Sequence, residues 1–156
     1  MHWTGRLPQR LRRVPPLQRA WFALNARQVQ GNVQAHLDAM AKVCSEPDQQ
    51  ILTDPTFRPT LAAEKTEAWK NGPDGTRTDY NTASPLGFNP GDVTQPVDVF
   101  HGAQDTIVTP QAGRTLAQRL PNAQFHSIDP GGHLSFLTHW TELLDTLSPT
   151  TDTAPT

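Results

Sequence analysis

A chain of 156 residues that is 35% hydrophobic, with a mean hydropathy of −0.56, has room for one domain with a core and not for two. Its formal net charge of −2 points to no polyanionic partner overall, and no apolar run approaches the ~18–20 residues that would span a bilayer, so no membrane span is expected. A single cysteine, Cys44, excludes an internal disulfide framework and a cysteine-based zinc site, and suits a reducing, cytoplasmic setting.

Charge is unevenly spread. Arg6, Arg10, Arg12, Arg13, Arg19 and Arg27 all precede the first acid, Asp38. A basic, acid-free start is open to three readings: a transit peptide, a membrane-surface helix or a nucleic-acid arm. Here Trp3, Leu7, Leu11, Trp21 and Phe22 are few and interrupted, and Pro15-Pro16 breaks the segment. The expected role of the arginines is a solvated face of short helices, with no nucleic-acid partner.

Residues 17–44 predict one helix, with Leu17, Trp21, Leu24, Val29, Val33, Leu37, Met40 and Val43 near one stripe and Gly31 a weak point inside it. "SEPDQQIL" (45–52) is expected to be a break. A second helical stretch follows over 54–70, with Thr60 as its start and Leu61, Lys65, Ala68 and Trp69 along one side. Residues 71–96 are loop-rich, with turn signals at Asn71-Gly72, Asp74-Gly75 and Asn89-Pro90-Gly91 and space for a short helix within 76–83.

The character changes over 97–147. "VDVFHG" predicts a strand entered from Pro96, Thr109-Pro110 starts a helix that stops at Pro121, and "AQFHSI" (123–128) is a second strand. A last helix is expected over 133–147, with Phe136, Leu137, Trp140, Leu143, Leu144 and Leu147 on its apolar side. This alternation is a βαβα unit, which makes the two strands parallel neighbours joined by a crossover. Parallel strands need cover on both faces, and the upstream helices are expected to supply it. Such a short sheet also leaves a strand edge unpaired, an assembly hazard. The Thr/Pro-rich tail over 148–156 is expected to be disordered.

Asp105 and His133 each stand in a turn just beyond one of these strands, 28 residues apart, about one crossover. In a parallel pair both turns leave the same sheet edge, where open α/β sheets place their chemistry. A carboxylate that accepts the Nδ1–H of a histidine fixes its tautomer and leaves Nε2 free as a general base. Gly131-Gly132 lets the backbone turn sharply beside the imidazole.

The stretch "PVDVFHGAQDTIVTPQAGRTLAQRLPNAQFHSIDPGGHLSFLTHWTELLDTL" (96–147) resembles the C-terminal part of α/β-hydrolase-fold serine hydrolases. In that family the strand ending in "HG", the acid three residues after the glycine and the "GGH" near the end are the acid and histidine stations of a triad. Residues 67–88 resemble the segment that leaves the family's cap, and the helices before them resemble the cap itself. The resemblance implies a partial α/β-hydrolase fold: a helical cap-like region over 1–95, a hydrolase core segment over 96–147, and the tail. It assigns Asp105 as triad acid and His133 as triad base, with no cofactor, no metal and a small-molecule substrate.

The family nucleophile sits in a G-x-S-x-G elbow upstream of the cap. None of the five serines here, Ser45, Ser84, Ser127, Ser135 and Ser148, has that context. Cys44 has no neighbouring glycine and is expected to be a structural thiol. His101-Gly102 belongs to the acid-bearing strand and is not an oxyanion loop. The expectation is therefore a truncated hydrolase, inactive as written, with an ester or similar acyl or C–X substrate for the complete enzyme and Ser or Asp as its nucleophile. The alternative is an inactive hydrolase-fold module acting in binding, in self-association or in pairing with a missing N-terminal half. Six histidines raise the question of metal, but His126 is on a strand, and His36 and His139 are expected on helix surfaces, so no zinc site is expected.

Overall fold

Proline, asparagine and serine set most of the helix boundaries. The structure, a computed structural model, describes residues 7–82 and 87–147. Arg6, Ser84, Ser148 and the Thr/Pro-rich tail lie outside the described residues. A short α1 (Leu7–Leu11) leads into α2 (Pro15–Gly31), which has proline in its first turn. The chain then breaks at Asn32, whose side chain accepts the Ala35 N–H and so caps α3 (Val33–Ala41). The single helix expected over 17–44 is thus two.

The expected break at 45–52 is itself a helix, α4 (Glu46–Thr53). Ser45 precedes it in extended conformation, Pro47 sits in its first turn, and Glu46 and Asp48 lie at the positive end of its dipole. Pro47 therefore starts this helix rather than interrupting the chain. Next come α5 (Arg58–Trp69), which begins two residues before Thr60, and α6 (Asp74–Thr82). The Arg58 guanidinium donates to the carbonyls of Gln34 and Leu52 and pairs with Asp38 at 2.5 Å, tying α3, α4 and α5 together.

Two apolar clusters organise the helices. In one, Phe22, Ala26 and Val29 of α2 meet Trp69, with Trp21 and Tyr80 packed alongside. The buried stripe of α2 is Gln18–Phe22–Ala26–Val29; Leu17 and Leu24, expected inside, are exposed. Gln18 is kept inside by its hydrogen bond to Asn81 at 3.0 Å. In the other, Leu37, Ala41, Cys44, Ile51, Leu52, Leu61 and Ala62 form a core against which Ile107, Leu134 and Leu137 pack.

A 3₁₀ turn (Pro90–Asp92) precedes β1 (Val97–Gly102), α7 (Pro110–Arg119) and β2 (Ala123–Ile128). The strands run parallel, in register from Val97 opposite Ala123 to Gly102 opposite Ile128. On one face α7 brings Arg114 over the Phe125 ring, 4.5 Å from its centroid. The other face carries Asp98, which is exposed, and Phe100 and His126, which are half-buried. The upstream helices were expected to cover that face. They instead use their apolar stripes on one another and on the loop tips beyond the strands.

The helix expected over 133–147 is also divided. A 3₁₀ turn (Ser135–Leu137) is followed by α8 (Trp140–Asp145), because the Ser135 carbonyl turns to accept the Thr138 and His139 N–H groups. Phe136, Trp140, Leu144 and Leu147 lie exposed rather than buried.

Replacing the enclosed Phe22 with alanine is expected to cost about 3–5 kcal/mol of stability. Leu24→Ala, on the exposed side of the same helix, is expected to stay within about 0.5 kcal/mol of wild type. Urea unfolding followed by far-UV circular dichroism compares the two.

Candidate active site

The parallel register sends the turns after β1 and β2 out of the same sheet end, and the backbones of these turns lock together. The Ala103 N–H donates to Ile128 O at 2.8 Å and the Gln104 N–H to Gly131 O at 2.7 Å. Gly102 lies so close to the Gly131 and Gly132 carbonyls that a Cβ there would collide with both. Only glycine permits that approach.

Asp105 and His133 meet across this junction. His133 Nδ1 is 2.9 Å from Asp105 Oδ2. The other carboxylate oxygen of Asp105 accepts the N–H groups of Ile107 at 2.8 Å and Val108 at 2.9 Å, so the acid is anchored by the turn that presents it. Asp105 is 7% exposed. Burial on its own raises its pKa, but the bonds from His133 and Val108, the His133 charge and the Ile107 bond outweigh it and hold the carboxyl below its ordinary value. His133 is shifted the other way. Its bond to Asp105 raises the imidazole pKa against the effect of burial, with further help from the charges of Asp105 and Asp48 and opposition from Lys65.

The His133 side chain is 39% exposed, and its Nε2 makes no hydrogen bond among the described residues. The arrangement leaves one ring nitrogen held and the other accessible, the geometry of an oriented general base.

Two residues that sequence reasoning passed over also belong here. His101 Nε2 donates to the Val108 carbonyl at 2.9 Å and stands 3.4 Å from Asp105 Oδ2, bracing the acid turn from below. Asp48, on α4, accepts the backbone N–H groups of His133 and Leu134. Its one sequence signal was the Ser45-x-x-Asp48 spacing at a helix start.

The described serines are occupied elsewhere. The Ser45 hydroxyl donates to Asp48 at 2.8 Å, that of Ser135 donates to Gly132 O at 2.8 Å, and Ser127 is exposed on β2. Cys44 is buried, and its thiol is pushed up to about 11 by burial and by the charges of Asp48 and Asp105, so at neutral pH it carries no thiolate. Among the described residues no group of three or more His, Cys, Asp and Glu side chains is placed to hold a metal ion, and no helix is long and apolar enough to cross a membrane.

His126 and Asp98 form a second acid–histidine pair, 2.6 Å apart, with the imidazole stacked on Phe100 at 4.5 Å. It lies mid-strand and half-exposed, away from the turns at the sheet end. Hydrogen bonding of the two residue types alone therefore does not mark the site; the position at the sheet end does.

The opposed shifts set a pH window. The raised pKa of His133 contributes stability that is complete below the free-imidazole value of 6.5 and is lost as pH climbs through the folded-state value. The lowered pKa of Asp105 contributes stability that is present above 3.8 and is lost as pH falls through its folded-state value. Wild type is therefore expected to exceed Asp105→Asn by about 1–3 kcal/mol between these limits. The gap should narrow on both sides in urea unfolding run from pH 3 to pH 9.

The solved structure of Rv0554 from Mycobacterium tuberculosis is similar to this chain with a TM-score of 0.51 and 24% identity, over 81% of this chain and 48% of its own length. The pimeloyl-[acyl-carrier protein] methyl ester esterase of Chromobacterium violaceum is 26% identical over a 156-residue alignment that takes in 88% of this chain. The esterase of the same name from Aromatoleum aromaticum is 46% identical over 48 residues, which are 31% of this chain and 19% of that protein. The matched part of this chain spans 59% of the length of the Chromobacterium relative. A model of the alpha/beta hydrolase fold matches residues 6–139, which hold α1 to α7, the parallel strands and both members of the Asp105–His133 pair, and the chain belongs to that family.

Proposed function

We propose that Asp105 and His133 are the acid and base of a hydrolytic triad whose nucleophile comes from outside these 156 residues. The observation that carries this reading is the 2.9 Å bond from His133 Nδ1 to a buried, turn-anchored carboxylate at the end of a parallel strand pair, with Nε2 left accessible. In this reading Nε2 takes the proton from the nucleophile and returns it to the leaving group, while Asp105 holds the tautomer and stabilises the imidazolium. The substrate class is an ester or similar acyl compound, in keeping with the two esterase relatives. The helical segment before β1 acts as the cap that shapes the substrate site. The nucleophile-bearing segment would add strands at the free edge of β1 and cover the face carrying Asp98, Phe100 and His126.

One observation favours a second reading, an inactive module that associates through its uncovered surfaces: Phe136, Trp140 and Leu144 are exposed together at the end of the chain's core segment.

A fluorophosphonate probe separates the possibilities. The chain alone is expected to take no label, because no described serine is hydrogen-bonded to the His133 imidazole. Mixed with a segment of an α/β hydrolase that carries the G-x-S-x-G elbow, it is expected to hydrolyse short-chain p-nitrophenyl esters, and His133→Ala is expected to lower that rate about 1,000-fold or more. Equal rates for wild type and His133→Ala, or His133-dependent labelling of a serine in this chain, would overturn the reading. Concentration-dependent association in sedimentation that is indifferent to His133→Ala would put the second reading in its place.

A further inference from the structure

Asp48 is a buried carboxylate that the acid–base pair does not use. It is 0% exposed, and three donors converge on it. The Ser45 hydroxyl, at 2.8 Å, and the His133 N–H, at 2.9 Å, both meet Oδ2, while the Leu134 N–H meets Oδ1 at 2.8 Å. Both oxygens act only as acceptors, the role of an ionised carboxylate. Among the described residues no cation pairs with it, and these three hydrogen bonds offset the cost of its burial.

The bonds to residues 133 and 134 reach 85 and 86 positions along the chain, from a helix in the upstream segment to the turn that carries the histidine. The contact is close enough that a Cβ on Gly132 would run into the Asp48 carboxylate. On its opposite side the same turn is held by Gln104 and by the approach of Gly102. The His133 main chain is thereby clamped between α4 and the acid turn. Simple packing of α4 does not need a carboxylate, because Ile51 and Leu52 already bury the helix in the core. A charged group without its donors would oppose burial strongly.

We propose that Asp48 is a positioning residue for His133: by gripping two consecutive main-chain N–H groups it fixes the direction in which the imidazole leaves the backbone, and makes the His133–Asp105 bond depend on the seating of α4. The proposal rests on the acid–base reading of Asp105 and His133. Asparagine at 48 keeps the volume but has one acceptor oxygen, so its amide group must face at least one of the three donors.

The test uses the full chain labelled with ¹⁵N. In wild type the amides of His133 and Leu134 are expected to exchange slowly. In Asp48→Asn their exchange should quicken by an order of magnitude or more, and the titration midpoint of the His133 imidazole should fall; Ser45→Ala, which keeps the Asp48 charge, separates that fall from the simple loss of a nearby negative charge. The backbone amide of His126, on β2, serves as the internal control, and its exchange should not change. Ser45→Ala removes one of the three bonds and should act in the same direction, less strongly; it carries the test if Asp48→Asn does not fold. A folded Asp48→Asn with unchanged amide exchange and unchanged His133 titration would overturn the proposal, as would an unfolded Asp48→Asn alongside a Ser45→Ala indistinguishable from wild type. Asp105→Asn, measured in parallel, separates the two ideas. If it lowers the His133 midpoint and Asp48→Asn does not, the positioning role alone fails. If Asp105→Asn leaves the midpoint unchanged, the acid–base reading fails first.

Discussion

A buried carboxylate must find donors before a chain can close around it, and this chain closes around two of them at a single turn. Asp105 collects the N–H groups of Ile107 and Val108 together with the His133 imidazole. Asp48 collects the Ser45 hydroxyl and the N–H groups of His133 and Leu134. Removing either acid would leave several donors stranded, so each carboxylate sets the position of the backbone near it. The turn from Gly131 to Leu134 has little freedom left: the Gly131 carbonyl meets the β1 turn, the His133 and Leu134 N–H groups meet α4, and the imidazole meets Asp105.

That constraint joins segments of different character. The upstream helices bury their apolar stripes among themselves, and they reach the strand-bearing part of the chain through Ile107, Leu134 and Leu137 at the loop tips. The tips they pack on are those that present the acid and the histidine. The in-register parallel pairing of Val97–Gly102 with Ala123–Ile128 places both turns at one end, where α/β proteins assemble ligand sites. The His126–Asp98 pair shows what the position adds. Its two groups are closer together than His133 and Asp105, yet it sits mid-strand with no turn to anchor the acid.

The strand-bearing half was the legible half. β-Branched and aromatic runs, the Thr109-Pro110 helix start and the stop at Pro121 placed β1, α7 and β2 closely, because each signal is local. The approach of Asp105 to His133 followed from topology, since two parallel strands dispose their following turns on one side. Resemblance to the hydrolase family over 96–147 pointed to the same two residues. The helices were less legible. Asn32 divides one expected helix by capping the next, a short-range signal overruled by the long apolar pattern around it. Pro47 suggested a break where, in a first turn, it begins a helix. Gln18 interrupts the apparent stripe of α2 and is buried with a partner, Asn81, that meets it from 63 positions away. Asp48 was out of reach for the same reason: nothing near it in sequence shows that its partners lie at 133 and 134. The exposed side of α8 was misread because its apolar residues follow a helical period with no described element to receive them.

The tautomer of neutral His133 tests the central claim most directly. Free imidazole favours the proton on Nε2, whereas an acceptor at Nδ1 reverses that preference. Long-range ¹H–¹⁵N correlation spectra, recorded well above the His133 titration midpoint, distinguish the two forms. The account predicts a proton on Nδ1 and an unprotonated Nε2, and in Asp105→Asn a loss of that preference. A neutral His133 carrying its proton on Nε2 in the wild-type chain would mean that Asp105 does not orient it, and the acid–base reading would fall.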